Sequence, residues 1–317
     1  MKPVVLTQIV PGKAVQAQLR ERYTLLGPYR NAAEQLEADG QLDQVRAVIT
    51  TGGGGLSRQL IERMPQLGLV CAYGVGYEKV DVSALKERGI ALTNGRAGNA
   101  SCVADLAMAL LLAVGRDVLV GDHYIREGHW NRVPAGGLEF VPGLGGARLG
   151  ILGLGDIGLK VASRALAFEM EVGYHSRTRR ADSVLPYFDD VRSMAEWSDY
   201  LLVACPLTPT TRGMVNREVL EALGPAGFLV NIARGAIVDQ AALIQALASG
   251  TIAAAGLDVF DGEPRSADEF KDVPNVVLTP HLGGCTRVAL ANIDRMLMEN
   301  LQCFFAGAPL VTPVNLA

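Results

Sequence analysis

Along this chain, short runs of consecutive apolar residues alternate with stretches whose apolar positions recur every three or four residues. "VRAVITT", "LGLVCAYG", "RLGILGLG", "EVGYHS", "YLLVACPL", "GFLVNIA", "AAGLDVF" and "NVVLTPH" are runs of the first kind. They read as strands apolar on both faces, the pattern of a parallel sheet covered by helices on each side. Residues 217–223 and 240–248, lying between such runs, carry the helical period. A first strand is expected over Val4–Val10, cut by Pro11. The fold class is therefore α/β, with doubly wound parallel sheets. No longer period recurs, which argues against a solenoid.

The richest series of strands spans residues 97–287, and a smaller α/β segment precedes it. A helical stretch, Val288–Phe305, and then "AGAPLVTPVNLA" follow. That tail is too short to fold alone and is expected to return to the first segment. Two Rossmann-like domains result: a discontinuous one of residues 1–96 and 288–317, and a contiguous one of residues 97–287. The helix-like stretch Ala100–Glu127 is expected to be one of the connections.

Composition narrows the class. A length of 317 residues suits about two domains. Hydrophobic residues at 49%, charged residues at 20% and a net charge of −4 describe a globular chain with no basic surface for nucleic acid. The longest apolar run, Leu106–Val114, is far shorter than a membrane span. The apolar run at the start is too short for a signal peptide and lacks a typical cleavage site after it. Five cysteines, an odd number with no CxxC pair, argue against a disulfide framework or a zinc site. No metal is expected, and a reducing cytoplasm is the expected compartment.

The first chemical signal is "GLGDIG", which sets Gly153, Gly155 and Gly158 in the GxGxxG spacing. Alone this pattern is weak. Here it follows the strand 148–152 and opens the helix 157–167, the context of a dinucleotide-binding turn. Gly153 permits the tight turn, Gly155 lets a pyrophosphate approach the backbone, and Gly158 lets helix and strand pack closely. The helix N-terminus then offers unpaired N–H groups to the phosphates.

The end of the next strand, "HSRTRR", begins at His175, where such a unit usually carries an acid for the ribose hydroxyls. No acid stands there, so nothing repels a 2′-phosphate. Ser176 offers a hydroxyl, Arg177 a planar fork, and Arg179 or Arg180 a second charge. This favours NADP(H), with NAD(H) weaker; a solvated surface turn is the alternative. "TTGGGG", Thr50–Gly55, lacks the Lys-Ser/Thr pair of a Walker loop. It reads as a flexible loop or a substrate lid rather than a nucleotide site, with Gly52–Gly55 leaving room near a substrate.

Three later motifs sit at ends of expected strands: "NIARGAIVD" with Arg234, "GLDVFDGEP" with Asp258 and Glu263, and "TPHLGG" with His281. An Arg to hold a carboxylate, a His to donate a proton and an acid to orient the His are the parts needed to reduce a 2-keto acid. Each is ambiguous alone.

With "YGVGYEKVD" (73–81), "GILGLGDIG" (150–158) and "ACPLTPTTRGMVN" (204–216) added to these three, in this order and spacing, the chain resembles the D-2-hydroxyacid dehydrogenases. Within them it is similar to the glyoxylate/hydroxypyruvate and hydroxyphenylpyruvate reductases. The resemblance covers nearly the whole chain. It implies that Arg234 and His281 bind and reduce the substrate, with Glu263 paired to His281. Backbone N–H groups of Val75 and Gly76 would receive the substrate carboxylate. Asp258 would meet the nicotinamide amide, and Cys205 and Pro206 would line the adenine side. The rest of the implied cofactor site is Leu154, Asp156 and Ile157 around the glycine turn and Thr178 after the arginines. Val103, Thr211, Ile232 and Ala233, then Gly283 and Gly284, complete it. Asp105 departs from the Glu usual in relatives, a change expected to touch helix packing only.

The resemblance also implies a homodimer, with Trp130 reaching toward the partner's substrate. Residues 101–114 are apolar around most of a helix circumference and need cover on more than one side, from their own subunit or a partner. The expected function is NADPH-dependent reduction of glyoxylate or hydroxypyruvate to a D-2-hydroxy acid. An aryl-pyruvate or 2-ketogluconate reductase is the alternative enzyme, and a nucleotide-sensing partner protein the alternative of another class.

Overall fold

The computed structural model describes residues 2–29, 41–131, 140–264, 268–273 and 275–316. The chain divides into two compact units, Met1–Asn99 with Arg287–Ala317, and Ala100–Thr286.

In the first unit, β1 (Val4–Thr7), β2 (Thr24–Leu26), β3 (Val45–Thr50), β4 (Leu69–Ala72) and β5 (Ala91–Asn94) form one parallel sheet in the order β2-β1-β3-β4-β5. Side chains alternate across it. Val5, Ala47, Ile49, Leu69 and Cys71 pack with Leu19, Leu297, Met298 and Leu301 from the helices Lys13–Arg22 and Arg287–Ala306. Leu6, Val48, Val70 and Leu92 pack on the other face with Leu60, Ile61 and Leu85 from the helices Arg58–Glu62 and Val82–Glu87. Each fully buried side chain of this kind contributes roughly 1.5–3 kcal/mol.

β1 is shorter than the run Val4–Val10 because Thr7 folds back. Its hydroxyl donates to the Ile9 carbonyl at 2.9 Å and accepts from the Ile9 N–H at 3.2 Å, turning the chain before Pro11. The edge of β5 is covered by the chain's last segment. Thr93 forms an antiparallel bridge with Pro313, and Val314 donates its N–H to Leu92 at 2.8 Å.

In the second unit, β6 (Arg148–Leu152), β7 (Glu171–His175), β8 (Tyr200–Val203), β9 (Phe228–Asn231), β10 (Ala254–Leu257) and β11 (Val276–Leu278) run parallel in the order β11-β10-β9-β8-β6-β7. Leu201 and Val203 face one buried cluster, with the helices Val191–Trp197, Arg217–Leu223 and Gln240–Ser249. Tyr200 and Leu202 face the other, with the helices Ala100–Gly115 and Asp156–Ala167. In both sheets the strand order reverses beside the first strand, the point where doubly wound folds take their ligands.

The stretch Ala100–Glu127 is two helices, Ala100–Gly115 and Val118–Arg126, rather than one. Asp117 breaks it in the left-handed region at φ 50°. Gly115 sits against Tyr200, where a Cβ would lie 2.4 Å from the phenol oxygen, so the first helix docks on β8 at a bare backbone position. Residues 101–114 find their cover in their own unit, since Val103, Ala107, Leu110, Leu111 and Val114 are buried in the cluster shared with β6, β8 and β9. The helix Val118–Arg126 buries no residue, and Val118, Leu119, Val120 and Ile125 are each more than half exposed. Among the described residues no helix is long and apolar enough to cross a membrane.

Candidate active site

The glycine turn follows β6 directly. Gly153 has φ 105°, donates its N–H to the His175 carbonyl at 2.8 Å, and would place a Cβ 2.7 Å from the Cys205 backbone. The end of β6 therefore meets the loop after β8 with no side chain between them. Gly158 would place a Cβ 2.2 Å from the Gly153 carbonyl oxygen, which locks the helix Asp156–Ala167 against the turn. Gly155 faces open space within 4 Å of its Cβ position. Leu154 is buried under the turn, and Asp156 and Ile157 begin the helix, whose first N–H groups lack acceptors within it.

After β7 the chain makes an exposed turn. Ser176 donates its hydroxyl to the Thr178 carbonyl at 2.8 Å, and Tyr187 donates to the Ser176 carbonyl at 3.3 Å. The three arginines differ. Arg180 is bound to Asp182 at 2.6 Å and reaches the Leu154 carbonyl at 3.3 Å, so its charge is matched and it ties this turn to the glycine turn. Arg179 lies over the Tyr187 ring at 5.8 Å. Arg177 is exposed and makes no ion pair with a described residue. Of the two candidates for a second charge, Arg179 is the one without an acidic partner among the described residues.

Cys205 and Pro206 follow β8. Burial pushes the Cys205 thiol up to about 11, so it stays a neutral packing group. Thr211 ties the loop by donating to the Pro206 carbonyl at 2.8 Å and accepting the Thr208 N–H at 2.7 Å. After β9, Ile232 and Ala233 are buried, and Asn231 holds the turn that presents Arg234. The Asn231 amide donates to the Arg234 carbonyl at 3.1 Å and its oxygen accepts from the Ala233 N–H at 3.0 Å. Asn231 was not singled out from the motif; a polar residue closing an apolar strand was the available signal. Gly235 would place a Cβ 1.9 Å from the Phe260 carbonyl carbon, so the Arg234 turn packs against the loop that carries Glu263.

Glu263 divides its oxygens. Oε1 accepts from the Phe260 N–H, and Oε2 lies 2.6 Å from His281 Nδ1. The imidazole is half exposed while the carboxylate is more enclosed. With Nδ1 facing Glu263, Nε2 is the ring nitrogen that this pair leaves available. His281 itself stands in the left-handed region at φ 54°, unusual for a residue other than glycine.

What holds it there is Asp258, 1% exposed at the end of β10. Asp258 Oδ1 accepts from the Thr279 hydroxyl at 2.6 Å and the Leu282 N–H at 2.7 Å. Oδ2 accepts from the Gly283 N–H at 2.9 Å, and the Asp258 carbonyl accepts from the His281 N–H at 2.9 Å. Gly283 also meets Val103, 3.4 Å from its Cβ position, and the Gly284 carbonyl accepts from Thr286 at 3.0 Å.

The second unit is thus a parallel sheet with a dinucleotide turn, and a paired His–Glu and an Arg stand at its strand ends. Residues 108–283 match the family described as D-isomer specific 2-hydroxyacid dehydrogenase, NAD binding domain. The chain belongs to the D-2-hydroxyacid dehydrogenase family. It is 39% identical over 300 residues to hydroxyphenylpyruvate reductase of Plectranthus scutellarioides, covering 95% of each chain. It is 38% identical over 300 residues to glyoxylate/hydroxypyruvate reductase A of Arabidopsis thaliana, again covering 95% of each. An NADPH-dependent glyoxylate/hydroxypyruvate reductase of Sinorhizobium meliloti, solved with NADP and malonate, superposes with a TM-score of 0.90 at 36% identity, over 100% of this chain and 98% of that one. As a D-2-hydroxyacid dehydrogenase the protein is an oxidoreductase with a nicotinamide-binding domain.

The other residues that the dehydrogenase resemblance marks lie elsewhere. Val75 and Gly76 follow β4 in the first unit, on a loop whose Tyr73 donates its hydroxyl to Asp294 at 2.5 Å. Burial and then that bond push the Tyr73 phenol above its ordinary range, so it remains a donor. The glycine-rich stretch Thr50–Gly55 is a bonded turn. Gly54 and Gly55 donate to Thr51 at 2.9 Å each, and Thr50 donates to the Gly55 carbonyl at 2.8 Å. Gly52 and Gly55 are there because Cβ atoms would meet the Gly76 carbonyl at 2.8 Å and the Lys79 carbonyl at 2.4 Å, and only Gly53 opens to space. Trp130 is exposed, in the short turn His129–Asn131. Asp105 pairs with Arg164 at 2.7 Å, on the surface.

Asp258→Asn keeps the shape but sets an amide N–H against donors that the carboxylate accepts. Stability in urea unfolding should fall by about 1–3 kcal/mol. The exposed Asp189→Asn should stay within about 0.5 kcal/mol of the parent. Equal midpoints for the two variants would show that the His281 turn does not depend on the buried carboxylate.

Proposed function

We propose that this protein reduces small 2-keto acids, with glyoxylate and hydroxypyruvate as the leading substrates, to D-2-hydroxy acids at the expense of NADPH. The observation that carries the reading is the His281–Glu263 pair at 2.6 Å, on a turn pinned at the strand ends of a nicotinamide-binding domain. The glycines fit such a cofactor, because open space at Gly155 admits a pyrophosphate where a side chain would block it. Bound NADPH supplies the hydride to the carbonyl carbon. His281 Nε2 gives the proton to the carbonyl oxygen, and Glu263 at Nδ1 fixes the tautomer and supports the imidazolium. Arg234 holds the carboxylate and polarises the carbonyl, and the Val75 and Gly76 N–H groups receive the carboxylate. Residues 97–287 form the cofactor domain, and residues 1–96 with 288–317 the substrate domain.

Gly153–Ile157, Val103, Cys205, Pro206, Thr211, Ile232, Ala233, Gly283 and Gly284 would hold the cofactor. Asp258 Oδ2 keeps a lone pair for the nicotinamide amide. Ser176, Arg177, Thr178 and Arg179 take the 2′-phosphate, the preference for NADPH resting on the two arginines without an acidic partner among the described residues. Five free thiols are in keeping with a reducing cytoplasm. The likeness to a hydroxyphenylpyruvate reductase favours a second reading, in which the keto acid is aromatic. The assembly proposed is a homodimer in which the apolar face of the helix Val118–Arg126 meets a second copy, and Trp130 shapes the partner's substrate site.

His281→Ala should lower keto-acid turnover by about 100-fold or more, the scale of general acid catalysis. Near-normal turnover in the purified variant would sink the mechanism. Arg177→Ala should cost NADPH use about 10–100-fold and leave NADH use little changed, because a charge-assisted phosphate contact contributes about 1.5–3 kcal/mol. Equal losses with both cofactors would make the arginine structural.

Light scattering at micromolar concentration should give twice the chain mass. Trp130→Ala should change the ranking of a panel of glyoxylate, hydroxypyruvate, phenylpyruvates and 2-ketogluconate without weakening cofactor binding. A fully active monomer would defeat both the dimer and the shared role of Trp130.

A further inference from the structure

The loop after β4 is gripped by its carbonyls. Gly95 donates its N–H to the Gly74 carbonyl at 2.6 Å, and the Asn94 side-chain amide donates to the Val75 carbonyl at 2.7 Å. In a planar trans peptide the C=O and the following N–H point in opposite directions. The Gly74 carbonyl shares its peptide with the Val75 N–H, and the Val75 carbonyl shares its peptide with the Gly76 N–H. Holding the two carbonyls on the β5 side therefore turns the two N–H groups the other way, as a pair.

Asn94 is itself held from the far end of the chain. Its carbonyl accepts from the Thr312 hydroxyl at 2.6 Å, and its own side-chain oxygen accepts from the Arg96 N–H at 3.3 Å. The Thr312 hydroxyl in turn accepts from the Asn300 amide at 2.9 Å. Asn300, 2% exposed, also accepts the N–H groups of Val311 at 2.9 Å and Thr312 at 3.1 Å. One relay runs Asn300, Thr312, Asn94, Val75 carbonyl, Gly76 N–H.

We propose that Asn94 is a positioning residue for the substrate carboxylate, and that Thr312 and Asn300 make the C-terminal segment part of its support. The proposal rests on the keto-acid reading above, in which the Val75 and Gly76 N–H groups bind the carboxylate. Those N–H groups bind an anion well only when both are aimed together. Losing the grip on one peptide lets its donor rotate away, which weakens carboxylate binding and leaves the hydride and proton transfer to a correctly seated substrate nearly intact.

The test compares Asn94→Ala, Thr312→Val and Thr312→Ser with the parent by steady-state kinetics on glyoxylate, by oxalate inhibition and by calorimetric NADPH binding. Asn94→Ala should raise KM and the oxalate inhibition constant together by about 10–100-fold, with kcat within about threefold and the NADPH constant within about twofold. Thr312→Val, which keeps the shape and removes the hydroxyl, should raise KM by about 3–10-fold. Thr312→Ser should restore the parent value. Unchanged KM in both Asn94→Ala and Thr312→Val overturns the proposal, as does a fall in kcat at constant KM. Should Asn94→Ala fail to fold, the Thr312 pair decides by itself, because a structural role alone would not separate Val from Ser in KM at equal melting temperature. A parent protein that neither reduces any keto acid nor binds oxalate overturns the functional reading instead.

Discussion

A carboxylate withdrawn from water must be met by donors on every side, and Asp258 is such a group. Its 1% exposure is tolerable only because the Thr279 hydroxyl and the Leu282 and Gly283 N–H groups close on it, while its carbonyl takes the His281 N–H. The result is a turn that bends around a buried charge. His281 is forced to φ 54° in the process, and its ring is carried to within 2.6 Å of Glu263. The His281–Glu263 contact thus follows from a turn wound around a buried carboxylate.

The neighbouring parts join the same way, through contacts that tolerate no side chain. Gly153 against Cys205, Gly158 against Gly153 and Gly235 against Phe260 each bring two stretches of main chain closer than a Cβ permits. Strand ends that would otherwise be spaced by their side chains are drawn into one small region at the end of the sheet. Interiors are packed tightly enough that a methyl group at such a point forces backbone to move.

Much of this was legible in the residues. The helix Arg217–Leu223 and the strand Arg148–Leu152 have the bounds that their periodicity predicts, because one face or both are buried in a continuous apolar cluster. The glycine turn was readable because its spacing encodes steric need. The break at Asp117 was not, since nothing in "VGRDVLV" distinguishes a left-handed aspartate from a helical one without knowledge that Gly115 is pressed on Tyr200. The bonded turn at Thr50–Gly55 read as loose for a similar reason: glycines that avoid a neighbour look the same in sequence as glycines that leave space. β5 and the asparagines at 94, 231 and 300 were missed because a polar side chain announces that it needs partners but not where they are.

The Thr312–Asn94 bond spans 218 positions and the Tyr73–Asp294 bond 221. Residues 100–286 need nothing beyond themselves to complete their sheet, whereas the first unit lacks a helix and an edge cover until residues 287–316 exist. Residues 1–99 therefore cannot complete their unit until residues 287–316 are present. Its β5 edge and the face destined for Leu297 and Leu301 stay open while the middle of the chain folds. Closing so long a loop is a slow, entropically opposed step. A first unit without residues 287–316 therefore presents an open β5 edge, the kind of edge that invites mispairing.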